Sequence, residues 1–336
     1  MPNISGNDTK FQIGLEGEYG TSVVPTKQLE MLSESLGETH NNVVSDALVG
    51  AVTSGSFTIV GKKVEGDLSL EVHPDNIGLL LYAALGVEAD AVDTPEAGVA
   101  YKHSFTPVKD GVSLPSLTAV VDKKTDVFTY SGLKIDSLTL ESDPTSLVTS
   151  TITFIGNKEA ADDQSLASLN NSSFNPYNFN NMALYVGTAG SEADTLVEYT
   201  TSFSFSYANN LENDLFTADG TLYMAEIDYQ RRDITLDFEA LYNSESNTFR
   251  EDYFKTGDEL SVRVVFSSAE DVTGSTEGTK NQLIVDIRNF VITEAPNSIG
   301  GPERLRIPMS GRALEKGSDP AITMSTIDAQ STEYSA

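Results

Sequence analysis

Two stretches of this chain change face at the same place. In Leu133-Lys-Ile-Asp-Ser-Leu-Thr-Leu140 the apolar residues Leu133 and Ile135 hold odd positions, while Leu138 and Leu140 hold even ones, before the run ends at Asp143-Pro144. In Leu283-Ile-Val-Asp-Ile-Arg-Asn-Phe-Val-Ile292, which runs on to Ala295-Pro296, Leu283, Val285 and Ile287 share one parity and Phe290 and Ile292 the other. Side chains alternate faces along a strand. A switch of parity therefore requires an extra residue, a bulge, or a strand that passes from one packed layer to another. Superposing Pro144 on Pro296 without gaps lays Ile135 on Ile287 and Leu138 on Phe290. Two strands that switch at one aligned position read as copies of one unit.

The copies extend upstream. Asp67-Leu-Ser-Leu-Glu-Val72 alternates cleanly and leads into Pro74-Asp-Asn-Ile-Gly-Leu-Leu-Leu-Tyr-Ala-Ala-Leu85, which Gly86 closes. Asp233-Ile-Thr-Leu-Asp-Phe238 alternates in the same way and leads into Ser246-Asn-Thr-Phe-Arg-Glu-Asp-Tyr-Phe-Lys255, closed by Gly257. Each unit is a strand, a short helix with glycine at its left-handed end, and further strands. The remaining strand candidates are 11–15, 56–60, 101–105, 117–121 and 148–154 in the first unit, and 201–207 and 260–266 in the second. Such half-apolar strands suit antiparallel sheets; a doubly wound parallel sheet needs near-continuous apolar runs. The fold expected is all-β: two tandem, related antiparallel β-sandwich or β-barrel modules, each with one short helix. They span residues 1–160 and 161–336, the second carrying a C-terminal extension, and their boundary falls in the polar stretch 159–173.

Four segments fit a sandwich less well. Gln28-Leu-Glu-Met-Leu-Ser-Glu-Ser35, within the polar insertion Gly20 to Val52, reads as a helical turn or two. The insertion and the tail after Gly317 have too little apolar content to fold alone, and are expected to order against a neighbouring subunit or ring. Glu88 to Ala100 and Ala269 to Thr279 read as loops, either mobile surface or contact elements. Helix residues Leu79, Leu80, Leu81 and Leu85 are too apolar for a surface helix; one side is expected on the module's sheet and the other against a neighbouring module or subunit.

Fifty acidic against twenty-one basic residues give a formal net charge of −29, which disfavours general adhesion to DNA phosphate. With no cysteine there is neither a disulfide nor a thiolate metal site. The N-terminus carries no apolar run of the signal-peptide kind, and no stretch approaches the ~20 apolar residues of a membrane span. The three histidines, His40, His73 and His103, lack the spacing that sets two ligands on one helix face. His73, beside Pro74 at a helix start, reads as a local packing or capping residue. Asp237 and Glu239 share a strand face, the geometry of a glycosidase pair, but alternate positions facing water are commonly acidic in so acidic a chain. No phosphate-cradling loop or nucleophile elbow is present. The chain reads as a non-enzyme with no cofactor and no bound metal.

The segments 11–21, 64–72 with the helix ending at Leu85-Gly86, 128–140 and 148–156 together resemble the tail tube proteins of long-tailed bacteriophages. The segments 199–210, 233–238 and 283–292 are similar to the second half of the larger, two-module members. The resemblance implies a structural protein of the virion tail, assembled in the host cytoplasm, that stacks as rings into a conduit for genome ejection. The wall of that conduit is an intersubunit β-barrel, to which the strands bearing Leu133, Ile135, Leu138, Leu140, Leu283, Val285, Ile287, Phe290 and Ile292 would contribute. The partners implied are other copies of the chain, other tail proteins, the tape measure protein, and double-stranded DNA passing without specific binding. No membrane is implied. Single-module relatives close a ring with six copies, so two modules imply a homotrimeric, pseudo-sixfold ring; a homohexamer with the second module outward is the competing arrangement. A tandem adhesion or decoration protein of a virion or cell surface is the other class considered. It would ordinarily show a secretion signal, an anchor or an aromatic-rich binding loop.

Overall fold

The computed structural model describes residues 5–47, 53, 55–89, 93–109, 111–161, 163–296, 302 and 304–334. The first half carries β1 (Lys10–Leu15), β2 (Lys27–Leu29), β3 (Met31–Glu34), β4 (Gly37–Val44) and the long β5 (Phe57–Glu71). The apolar run Ile77–Leu85 is helix α1, followed by β6 (Gly86–Glu88), β7 (Asp93–Glu96) and β8 (Ala100–Pro107). Next come β9 (Leu117–Asp122), β10 (Val127–Ser142), β11 (Thr149–Gly156) and β12 (Lys158–Ala161). The second half opens with β13 (Met182–Thr188), β14 (Thr195–Leu196), β15 (Thr200–Ala208) and β16 (Asp233–Leu241). Helix α2 (Ser244–Thr248) continues as a π-helical turn, Phe249–Phe254. β17 (Leu260–Asp271), β18 (Lys280–Glu294), β19 (Arg306–Ala313) and β20 (Thr323–Asp328) complete the all-β chain.

The strands lie in two layers, and β10 and β18 belong to both. One layer is a long antiparallel sheet in the order β3/β4, β5, β11, β10, β15, β16, β19, β18. The other layer has two parts. The first half of β10 pairs with β9 and β12, and β9 continues to β1 and β2. The first half of β18 pairs with β17 and β20; β17 continues to β13, and β20 to β8. Each long strand crosses at a bulge. In β10 the register slips between Ile135 and Ser137, and in β18 between Ile287 and Phe290. These are the positions at which the sequence switches parity: the extra residue flips the buried face and hands the strand to the other layer.

Glycine and a buried carboxylate fix a second irregularity in β10, the register shift against β9 between Tyr130 and Leu133. Gly132 has φ +67°, and a Cβ there would lie 2.8 Å from Cβ of Asn157. Its N–H donates to Glu16 at 2.8 Å, and Glu16 also accepts from Ser116 and Thr118 at 2.7 and 2.8 Å. The apolar character of α1 has a simple cause. The helix is enclosed within the chain, with Leu79, Leu80, Leu81 and Leu85 all buried, and packs on β8, β10 and β20. Gly86 (φ +89°) ends it, its N–H donating to the carbonyl of Tyr82. Core residues of both halves, from Phe11 to Tyr334, form one continuous apolar cluster between the layers.

Several local expectations are corrected. Residues 28–35 are not helical: they supply β2 and β3, because pairing with β1 and β5 outweighs a weak helix propensity. The strand candidates 56–60 and 67–72 are one continuous β5. The tail after Gly317 does not lie apart from the chain. β20 is inserted between β8 and β18, with Ile322 and Met324 fully buried. The two acidic loops are contact elements for each other: Glu96 accepts from Ser275, Thr276 and Thr279. Segment 163–178 is pinned to the first half, with Gln12 bonding both N–H and C=O of Ala167 and His73 bonding the carbonyl of Phe174. Tips of the β4–β5 and β18–β19 connections lie largely outside the described residues.

Candidate functional site

The long sheet has one apolar face and one open face. Along β15, Phe203, Phe205 and Tyr207 are buried while Ser202, Ser204 and Ser206 are not; along β16, Ile234, Leu236 and Phe238 are buried and Asp233, Thr235, Asp237 and Glu239 are not. The same alternation holds on β5, β11 and the second half of β10. Register aligns the open positions into rungs across the sheet. One rung runs Ser33, Ser69, Thr151, Thr139, Ser206, Thr235, Arg312, Val291. The next runs Glu71, Thr149, Glu141, Ser204, Asp237, Ser310, Glu294.

This face is built of short hydroxyls and carboxylates. Ser69 and Thr151 bond each other at 3.2 Å, and Thr153 donates to Asp67 at 2.7 Å, so much of the surface is already satisfied. Its arginines are held by neighbouring acids: Arg306 by Glu239 and Arg312 by Asp233, each at 2.9 Å. The pair Asp237 and Glu239 therefore sits on a broad, solvated sheet face, with Glu239 engaged by Arg306 and by Thr201 at 2.7 Å. A face this wide, built of hydroxyls and carboxylates and with Arg306 and Arg312 paired to Glu239 and Asp233, has a chemistry that disfavours holding phosphate.

The sequence-derived wall residues divide at the bulges. Leu138, Leu140, Phe290 and Ile292 lie past them, in the long sheet, facing the core. Leu133, Leu283, Val285 and Ile287 precede them, in the second layer, and Ile135 stands at the crossing opposite Phe154. Of the open-face residues the sequence placed only Asp237 and Glu239 on a water-facing strand face; how the open positions line up across strands depends on register.

The long sheet repeats within itself. Its first four positions, filled by β3/β4, β5, β11 and β10, are followed by β15, β16, β19 and β18. In both sets a strand followed by a helix (β5, β16) stands second and a parity-switching strand (β10, β18) stands fourth. The sets are joined by β10 pairing antiparallel with β15, from Ser137 opposite Ala208 to Ser142 opposite Phe203. A buried asparagine secures this junction. Asn209 donates to the carbonyls of Ala84 and Ile135, each at 2.9 Å, and accepts from Arg232 at 2.8 Å and Tyr207 at 3.1 Å.

The histidines occupy separate places. His40 meets Glu38 on β4, and His73 lies at the start of α1, its carbonyl accepting from Asn76 and Ile77. His103 is buried in β8 between Glu88 and the carbonyl of Gln330. Among the described residues no group of three or more His, Asp or Glu side chains could hold a metal ion, and no helix is long and apolar enough to cross a membrane. A family model described as phage tail tube protein matches residues 6–313. No curated protein matches the chain.

Proposed function

The chain belongs to the phage tail tube protein family, and from that premise we propose that it polymerises as stacked rings into a hollow tail tube, three chains to a ring. The long sheet supplies the wall and its open face lines the lumen. Residues 1–160 and 161–336 act as two tandem modules that alternate around the axis with pseudo-sixfold symmetry.

The observation that carries this reading is that both four-strand sets lie in one sheet with the same face polar. A second module serving as outward decoration would have no reason to extend the sheet of the first, strand for strand. Bore size favours the trimer as well. Roughly twenty-four strands, ~4.8 Å apart and tilted ~40°, close at a backbone diameter of about 48 Å, wide enough for duplex DNA inside the side chains. Six copies of the same sheet would double that diameter. Barrel closure also removes the sheet edges that would otherwise invite uncontrolled pairing.

In this reading the lumen is lined by the hydroxyl rung and by Glu71, Glu141, Asp237 and Glu294. Those carboxylates repel phosphate, so double-stranded DNA passes without being held, and before it the tape measure protein. The tube is a virion component assembled in the host cytoplasm, joined at its ends to other tail proteins. Negative-stain microscopy of the purified chain tests the reading: rings or rods are expected, and monodisperse monomers under all assembly conditions, as an adhesion protein would give, would contradict it.

A further inference from the structure

Resting on the tube reading, the geometry points to the two strand edges that join one chain to the next: we infer that the free edge of β18 past its bulge pairs, antiparallel, with the free edge of β3 of a second copy. Val291 then stands opposite Ser33 and Phe290 opposite Glu34.

The argument is a vacant position beside an occupied one. Past its bulge, β10 has β11 on one edge and β15 on the other. Past its own bulge, β18 has β19 on one edge. Its other edge bears β17 only as far as Phe290, which stands opposite Leu260. Beyond that point no strand among the described residues pairs with it. The edge that β15 fills on β10 is thus open on β18. At the far end of the sheet the complementary edge is open too. β15 stands first in the second set and pairs with both β16 and β10; β3 stands first in the first set and pairs, among the described residues, with β5 alone. A helix packed on the parity-switching strand is compatible with a strand at this edge: in the first set α1 packs on β10 while β15 pairs along its side, and in the second the π-helical turn 249–254 contacts β18.

The internal junction supplies the register. Tyr207 faces Ile234 on β16 and Leu138 on β10. Its counterpart on β3 is Glu34, which faces Leu68 on β5, and the counterpart of Leu138 on β18 is Phe290. Face alternation agrees independently. Val291 ends the hydroxyl rung at one side of the sheet and Ser33 begins it at the other, so this register continues the rung from chain to chain. Leu32, 57 % exposed beside this edge, would gain a covering strand. The contact is head-to-tail, and such contacts build rings when the rotation closes.

The test uses the absence of cysteine in the chain. Opposed residues of an antiparallel pair lie about 4.5–5.5 Å apart at Cα, within disulfide reach. S33C/V291C protein assembled reduced and then oxidised should run as covalent dimers and trimers with nothing larger, returning to monomer on reduction. T139C/S206C, across the internal junction, should bridge within one chain. Hydrogen exchange on the unmodified protein gives a second reading that no substitution can disturb: assembly should slow amides 31–34 and 291–294 by an order of magnitude or more. Rods with neither the cross-link nor the protection would overturn the inference and leave the tube reading standing. A covalent ladder reaching six would overturn the trimer, and failure of the unmodified chain to assemble would overturn both.

Discussion

Single side chains hold the points where the layers meet. Asn209 is fully buried and makes four hydrogen bonds across the junction of the two strand sets, to the end of α1, the crossing of β10, Tyr207 and Arg232. Removing it strands buried donors and acceptors, so Asn209→Ala should lower stability by about 2–3 kcal/mol in chemical denaturation, while Ser204→Ala on the open face stays within about 0.5 kcal/mol. His103 ties the C-terminal strand to the first half. Burial acts to lower its pKa, but the Glu88 carboxylate, the Gln330 carbonyl and the Asp328 charge outweigh burial and raise it. A raised histidine pKa contributes stability that is fully present below the ordinary value of about 6.5 and is lost as pH rises through the folded value. Asp328, pushed up chiefly by burial, acts in the same direction. Protection of amides 323–328 against hydrogen exchange should therefore weaken as pH climbs above about 6.5, and His103→Gln should remove much of that dependence. Unchanged protection across that range would show that the histidine does not anchor the strand.

Among the elements, the parity-switching strands were the most legible. An alternation of period two is a local property, and its interruption at Ile135 and Ile287 marks the bulges directly. The Gly86 helix end was equally local. Elements defined by their partners were not legible. β3 reads as helix until β5 is set beside it, and β19 is masked by Pro308 and Gly311, whose alternation appears only against β16. β20 was misread as an arm because counting its few apolar residues cannot reveal that strands on both sides complete it. That correction changes the consequence of truncation. Deleting residues 318–336 removes a strand from inside a sheet, uncovers Tyr82 and Phe105, which pack near Tyr334, and opens the edges of β8 and β18. The expected product is unstable or insoluble, with an early thermal transition; soluble, cooperatively folding protein would contradict the placement of β20.

For the whole molecule, the net charge of −29 becomes informative once the register assigns acids to faces. Composition alone could not say which acids share a face; strand pairing sets Glu71, Glu141, Asp237 and Glu294 in one rung of the long sheet, on the face proposed to line the lumen. Reversing three of these, as Glu71→Lys, Glu141→Lys and Asp237→Lys together, should leave tubes that retain double-stranded DNA at low salt and release it as salt rises, whereas unmodified tubes retain none in co-sedimentation. Tubes that remain indifferent to DNA would place those residues elsewhere than the lumen. The division into two tandem modules and the threefold ring stand or fall together, since each rests on the second strand set taking the same place in the wall as the first. Symmetry analysis of electron micrographs of the assembled tube decides it directly: three chains per ring, each spanning two pseudo-equivalent wall segments, is the predicted result, and six chains per ring would contradict it.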